Sequence, residues 1–141
     1  EDQRKLRAES IYHPFHDAIT NELDRRIELG KAVIVVSIHS FTACFKGVER
    51  PWQVGVLYDR DPQFCKNIIA LLKSETNYCV GDNQPYAMTN GYEYTIPVHG
   101  EQRGLACVEL EIRNDLIRVE RDQRAWATEL CQILRDAAEG I

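Results

Sequence analysis

Long apolar runs are missing from this 141-residue chain. No stretch approaches the ~18 consecutive apolar residues of a membrane-spanning helix, so no membrane partner is expected. A basic stripe is missing too: 17 Lys and Arg are dispersed among 22 Asp and Glu. The net charge of −5 and pI near 5.4 argue against a general nucleic-acid or membrane-surface role, because nothing would offset phosphate repulsion. No Cys-x-x-Cys pair occurs. The five cysteines, Cys44, Cys65, Cys79, Cys107 and Cys131, stand singly and are odd in number, which suits reduced thiols in a cytoplasmic protein better than a disulfide frame or structural zinc site. Cys107 and Cys131 are read as core residues, and no paired histidine marks a cysteine nucleophile. Methionine occurs once, at Met88. The chain therefore opens inside a charged helical stretch, Glu1-Asp-Gln-Arg-Lys-Leu-Arg7, rather than at an initiator, and is read as a C-terminal fragment without a visible signal segment. Repeats, low-complexity tracts and linkers are lacking.

What remains is ordinary globular composition, 44% apolar and 28% charged, enough to bury one core. A helix is predicted from Pro14 to Leu29, with Tyr12, Phe15, Ile19, Leu23 and Ile27 as its apolar stripe and Gly30 as its stop. Pro14 belongs near a helix start, so the charged segment before it reads as a separate helix. Strands are predicted at Val33 to Ile38, Gln53 to Tyr58, Tyr78 to Val80 and Leu105 to Ile112. Asp61-Pro62 looks like a cap and first position for a helix burying Phe64, Ile68, Ile69 and Leu72. Residues 87–104 read as an irregular loop with a short helix near Tyr94, and loops of that size are often functional. A last helix, from about Arg121 to Ala138, places Trp126, Leu130, Ile133, Leu134 and Ala137 on one side. The alternation implies an α/β fold: a mostly parallel central sheet covered on both faces, a three-layer sandwich.

Two polar residues interrupt this pattern where a sheet edge usually opens into a crevice. His39 ends the run Lys31-Ala-Val-Ile-Val-Val-Ser-Ile-His39-Ser40, and Glu111 ends Leu105-Ala-Cys-Val-Glu-Leu-Glu111. Their chemistry suits a metal-ligand imidazole and a catalytic carboxylate. Each also has an ordinary reading, a hydrogen-bonded strand-end histidine and an acid paired with Arg113 two residues on. His13 and His16, three apart on a helix, have metal-ligand spacing but no fixed acidic or cysteine partner, and packing explains them equally.

The segment Ser37-Ile38-His39-Ser40-Phe41-Thr42 resembles the strand-to-loop histidine segment of zinc carboxypeptidases, and Glu109-Leu-Glu-Ile-Arg113 resembles the strand carrying their catalytic glutamate. Closer still is the resemblance to the N-formylglutamate amidohydrolase family. It is carried by Arg50-Pro51-Trp52, by Gly55 to Tyr58, by Gly81-Asp-Asn-Gln-Pro-Tyr86, by Tyr12-His-Pro-Phe-His16 and by Glu111-Ile-Arg-Asn-Asp-Leu116. Members are roughly twice this length, within the range of one α/β domain. Residues 1–141 are therefore expected to be the C-terminal part of a single amidohydrolase-like domain of the zinc-peptidase, phosphorylase/hydrolase-like type. The missing N-terminal half, with its Asp-His segment, would be a necessary partner.

The resemblance implies zinc-dependent hydrolysis of a linear amide in N-formylglutamate or a similar N-acyl amino acid, with histidine degradation as the pathway. His39 would be a zinc ligand, and the ion would lower the pKa of water toward ~7 and polarise the carbonyl. Glu111 would be the catalytic general base. A catalytic zinc normally takes three protein ligands, so the fragment alone should bind metal poorly and be inactive. Substrate contacts are expected from Arg50, whose guanidinium can fork a carboxylate, then from Arg113 and Asn83, and from Thr95 and His99 in the long loop. Tyr86 and Trp52 would wall the pocket or simply pack. Two alternatives stand beside the amidohydrolase: a catalytically silent relative binding a small acidic ligand, and a carboxypeptidase-like enzyme on short peptides.

Overall fold

The computed structural model describes residues 2–60, 62–88 and 93–141. It divides into two compact units, one ending at Ile34 and the other comprising Val35–Ile141.

The first unit is helical from Asp2 to Glu28. Helix α1 (Asp2–Arg7) runs through a π-helical turn, Ala8–Tyr12, into α2 (His13–Glu28). The charged segment and the following helix are therefore joined, where separate helices were expected. Proline explains the joint: Pro14 has no N–H to give, and its ring crowds the carbonyl four residues back. The wider π turn relieves this, with the His13 N–H donating to Ala8 O. Gly30, at φ +64, ends α2 as predicted. Its N–H bonds to Ile27 O and that of Lys31 to Arg26 O, the paired bonds of a left-handed C-cap. Of the expected stripe only Leu23 is buried; Tyr12, Phe15 and Ile27 are exposed.

The second unit is built on a sheet of four strands in the order β1-β6-β4-β5, namely β1 (Ile34–Phe41), β4 (Val54–Leu57), β5 (Val80–Asp82) and β6 (Ala106–Arg113). The sheet is mixed and mostly parallel. Strand β4 is parallel to β5 and antiparallel to β6. Val35 and Cys107 both lie against Gly100, and His39 lies by Glu109, so β1 and β6 advance together. A hairpin of β2 (Cys44–Phe45) and β3 (Val48–Glu49) stands apart from this sheet. It turns on Lys46 and Gly47, both at positive φ, which suits the twist of a two-residue hairpin loop.

Helix α3 (Pro62–Glu75) packs on β4, β5 and β6, and α4 (Glu120–Ala138) packs beside α3. The predicted faces are buried as expected: Phe64, Ile68, Ile69 and Leu72 on α3; Trp126, Leu130, Ile133 and Ala137 on α4. The ring of Trp126 stacks on Tyr78 at 4.6 Å. Cys131 is exposed on α4 and is not a core residue, whereas Cys107 is buried; all five thiols are free. Strand β5 begins two residues later than predicted, at Val80. The loop before β6 contains a π-helical turn, Ile96–Gly100, and a 3-10 turn, Glu101–Arg103. Asp61, the expected cap, and residues 89–92 of the loop lie outside the described residues. Among the described residues no helix is long and apolar enough to cross a membrane.

Candidate active site

Strand alternation decides which side chains share a face. On β6 the even positions Val108, Leu110 and Ile112 stand on one face, where Ile112 meets α4 together with Val36 and Ile38. The odd positions Cys107, Glu109 and Glu111 stand on the other. In β4 the residues opposite Glu109 and Glu111 are Leu57 and Gly55. In β1, Val35, Ser37 and His39 fall on this same face. Two carboxylates are thus carried into the middle of a sheet, 1% and 5% exposed for Glu109 and Glu111. Both predicted residues lie inside their strands rather than beyond them, since β1 runs on to Phe41 and β6 to Arg113.

The imidazole meets one of the two acids. His39 Nε2 is 3.0 Å from Ser37 Oγ and 3.8 Å from Glu109 Oε2. The nearer carboxylate is therefore Glu109, a residue that reading the motif passed over; its burial and its place two residues before Glu111 were the available signals. One oxygen of each acid, Oε2, has no hydrogen-bond partner among the described residues. Burial pushes the Glu109 carboxyl well above the usual carboxylate range; Glu93 adds to the shift, His39 opposes it and Glu111 adds again. Glu111 is also raised, chiefly by burial, with His39 pulling it down, Glu93 pushing it up and Arg50 pulling it down. His39 and Arg50 thus both bear electrostatically on Glu111.

A tight turn roofs this face. A Cβ on Gly55 would sit 2.1 Å from Gln84 O, and one on Gly81 would sit 2.6 Å from the same oxygen. Only glycine lets the Gln84-Pro85 backbone approach so closely. Asn83, at φ +50, closes the turn: its N–H donates to Val56 O and its Oδ1 accepts from Tyr58 N–H, each at 3.0 Å. Its side-chain oxygen thus serves the turn.

Arg50 follows β3 and is held by aromatic rings, with its guanidinium carbon 4.8 Å from the Phe45 centroid, 4.9 Å from Tyr86 and 5.9 Å from Phe41. Nη1 donates to Tyr86 Oη at 3.1 Å and to Thr42 O and Oγ1 at 3.5 Å. Arg113 is engaged elsewhere. Its Nε donates to Asp115 Oδ1 at 2.8 Å, holding that carboxyl below its ordinary range, and its Nη1 donates to the Arg50 carbonyl at 3.5 Å. The pairing partner of Arg113 is therefore Asp115 and not Glu111. Thr95 leads into the π-helical turn, where His99 is buried with its ring edge-on to Tyr94. That turn packs against β6 through Gly100 and Cys107.

One imidazole and two acids do not make a complete metal site. Among the described residues no group of three His, Cys, Asp or Glu is placed to hold an ion. The chemistry of the donors fits part of one. His39 is half exposed, its Nε2 is taken by Ser37, and its Nδ1 makes no bond among the described residues.

The family model described as N-formylglutamate amidohydrolase matches residues 1–118. A solved structure, the crystal structure of gene product Atu2144 from Agrobacterium tumefaciens, is 34% identical with a TM-score of 0.93, over 99% of this chain and 55% of that one. The chain thus spans about half the length of that relative. No curated protein matches it.

Proposed function

Because the chain belongs to the N-formylglutamate amidohydrolase family, we propose that the whole protein hydrolyses the amide bond of N-formylglutamate or a similar N-acyl amino acid. The observation carrying this reading is that Glu111 is buried, has an oxygen with no hydrogen-bond partner among the described residues, and is pulled on electrostatically by both His39 and Arg50. A buried acid influenced by a candidate metal ligand and by a candidate carboxylate fork has the character a general base needs.

In this reading His39 would be one zinc ligand, with the remaining ligands supplied by residues other than those described. The ion would supply Lewis-acid polarisation of the scissile carbonyl. Glu111 Oε2 accepts the proton of the attacking water and returns it to the departing nitrogen, a shuttle favoured by a carboxyl raised by burial and lowered by neighbouring cations. Arg50 binds the substrate carboxylate. Arg113 supports it through the Arg50 carbonyl, and Asn83, Thr95 and His99 border the substrate. The sheet is part of a single three-layer, zinc-peptidase-like domain completed by the protein's other half. In this reading the protein works in the cytoplasm, in the histidine breakdown that the family name implies.

The test is formate release from N-formylglutamate by the whole protein. Glu111→Gln should cut turnover at least ~100-fold, the usual scale for a general base, with zinc content intact. His39→Ala should lose zinc first. Undiminished turnover in the first variant removes Glu111 from the reaction, and unchanged zinc in the second removes the ligand. Tight binding of the acid with no formate released would instead identify a silent binding relative.

A further inference from the structure

We infer that Phe45 and Tyr86 are positioning residues that fix the Arg50 guanidinium so that its Nε–Nη2 edge reads a free carboxylate on the ligand. This rests on the proposed binding of an N-acyl amino acid and extends it to the residues that set specificity. Among the described residues the Arg50 guanidinium donates through one nitrogen: Nη1 bonds to Tyr86 Oη, Thr42 O and Thr42 Oγ1. Its central carbon lies over the rings of Phe45, Tyr86 and Phe41, 4.8, 4.9 and 5.9 Å from their centroids. Among the described residues no carboxylate pairs with it.

The result is a cation fixed at one end and set among three rings, with its side-on pair of donors uncommitted among the described residues. That pair matches the two oxygens of a carboxylate, which form parallel bonds to it. A guanidinium left to rotate would lose this selectivity, because ordering its long side chain would have to be repaid on each binding event. The rings come from separate parts of the chain. Phe41 ends β1, Phe45 lies on the small hairpin, half exposed, and Tyr86 follows the turn over Gly55 and Gly81. Phe41 is almost fully buried and serves the core as well; Phe45 and Tyr86 are the members free to act chiefly on Arg50. Weak hydrophobic contact alone would not need the Tyr86 hydroxyl.

The experiment uses the whole protein carrying Glu111→Gln, in parent and variants alike, so that the acid is bound and not turned over, and measures dissociation constants for N-formylglutamate and for its neutral diamide by calorimetry. The parent should prefer the acid. Tyr86→Phe, which keeps the ring, should weaken acid binding about tenfold and leave the diamide within twofold, lowering the preference by the same factor. Phe45→Ala should do likewise, and Phe45→Trp should restore the preference. An acid-to-diamide ratio unchanged in both Tyr86→Phe and Phe45→Ala overturns the inference. The two proposals fail separately: if the acid is bound with this pattern but the protein with Glu111 in place releases no formate, the hydrolase is refuted, whereas formate release by that protein together with an unchanged ratio in these variants refutes the cradle.

Discussion

Alanine at Gly55 should destabilise the protein through one identifiable atom. The added methyl would lie 2.1 Å from Gln84 O, 3.2 Å from Gln84 C and 3.3 Å from Pro85 Cδ. Since carbon and oxygen settle well beyond 3 Å, the turn or β4 must retreat by about 1 Å. Both are backbone, and β4 is pinned between β5 and β6, so the cost falls at the upper end of overpacking, about 3 kcal/mol. Gly81→Ala presses on the same oxygen from 2.6 Å and should cost about 2 kcal/mol. Because a turn displaced by one methyl has already made room for the other, the double variant should lose less than the sum, by about 1 kcal/mol. Urea denaturation followed by circular dichroism reads all three values, with the midpoint falling by about 1 M for every 2 kcal/mol. A Gly55→Ala loss below about 0.5 kcal/mol, or strict additivity in the double variant, would refute the shared-contact reasoning.

Two further results follow from packing and charge. Trp126→Ala removes a ring that is 7% exposed and stacked on Tyr78, and should cost about 3 kcal/mol, near the lower end for such truncations because the adjoining apolar groove of about 360 Å³ lets neighbours relax; a thermal or urea measurement showing less than about 1 kcal/mol would contradict it. Tyrosinate absorbance should show Tyr58 and Tyr78 ionising late, both pushed up to about 12, the first mainly by its hydrogen bond to Asp82 and the second mainly by burial and then Glu129. Their folded values lie above the ordinary value of 10, so the stability they contribute is complete below pH 10 and is lost as pH rises toward 12. Asp82→Asn should bring the Tyr58 step back toward 10, and an unmoved titration curve would disprove the assigned cause.

Much of the fold was legible in the residue order because its elements obey local rules. The runs around β1, β4 and β6 are short and β-branched, α3 and α4 repeat apolar residues at helical spacing, and Gly30 stops α2 through a backbone conformation that glycine adopts at least cost. Family membership was legible for a different reason: words such as Arg50-Pro-Trp and Gly81-Asp-Asn-Gln-Pro-Tyr86 keep their order over most of the chain. The π-helical joint before Pro14 was not, since proline forbids one bond without specifying how the chain will widen to do without it.

Other features needed the fold. Period-two alternation puts Glu109 and Glu111 on one face, but only the pairing of β6 with β1 brings Glu109, rather than its neighbour, against His39. Residue order could not reveal that Arg113 binds Asp115, or that Asn83 spends its oxygen on Tyr58, because each depends on where a turn carries a partner. The same holds for the three rings around Arg50, drawn from β1, a hairpin and the turn roofing Gly55. Sequence settled the identity of the charged groups and the periodicity that buries them. Tertiary structure settled their distances, and since electrostatic and hydrogen-bonding energies fall steeply with distance and depend on exclusion of water, it also settled which of them act together.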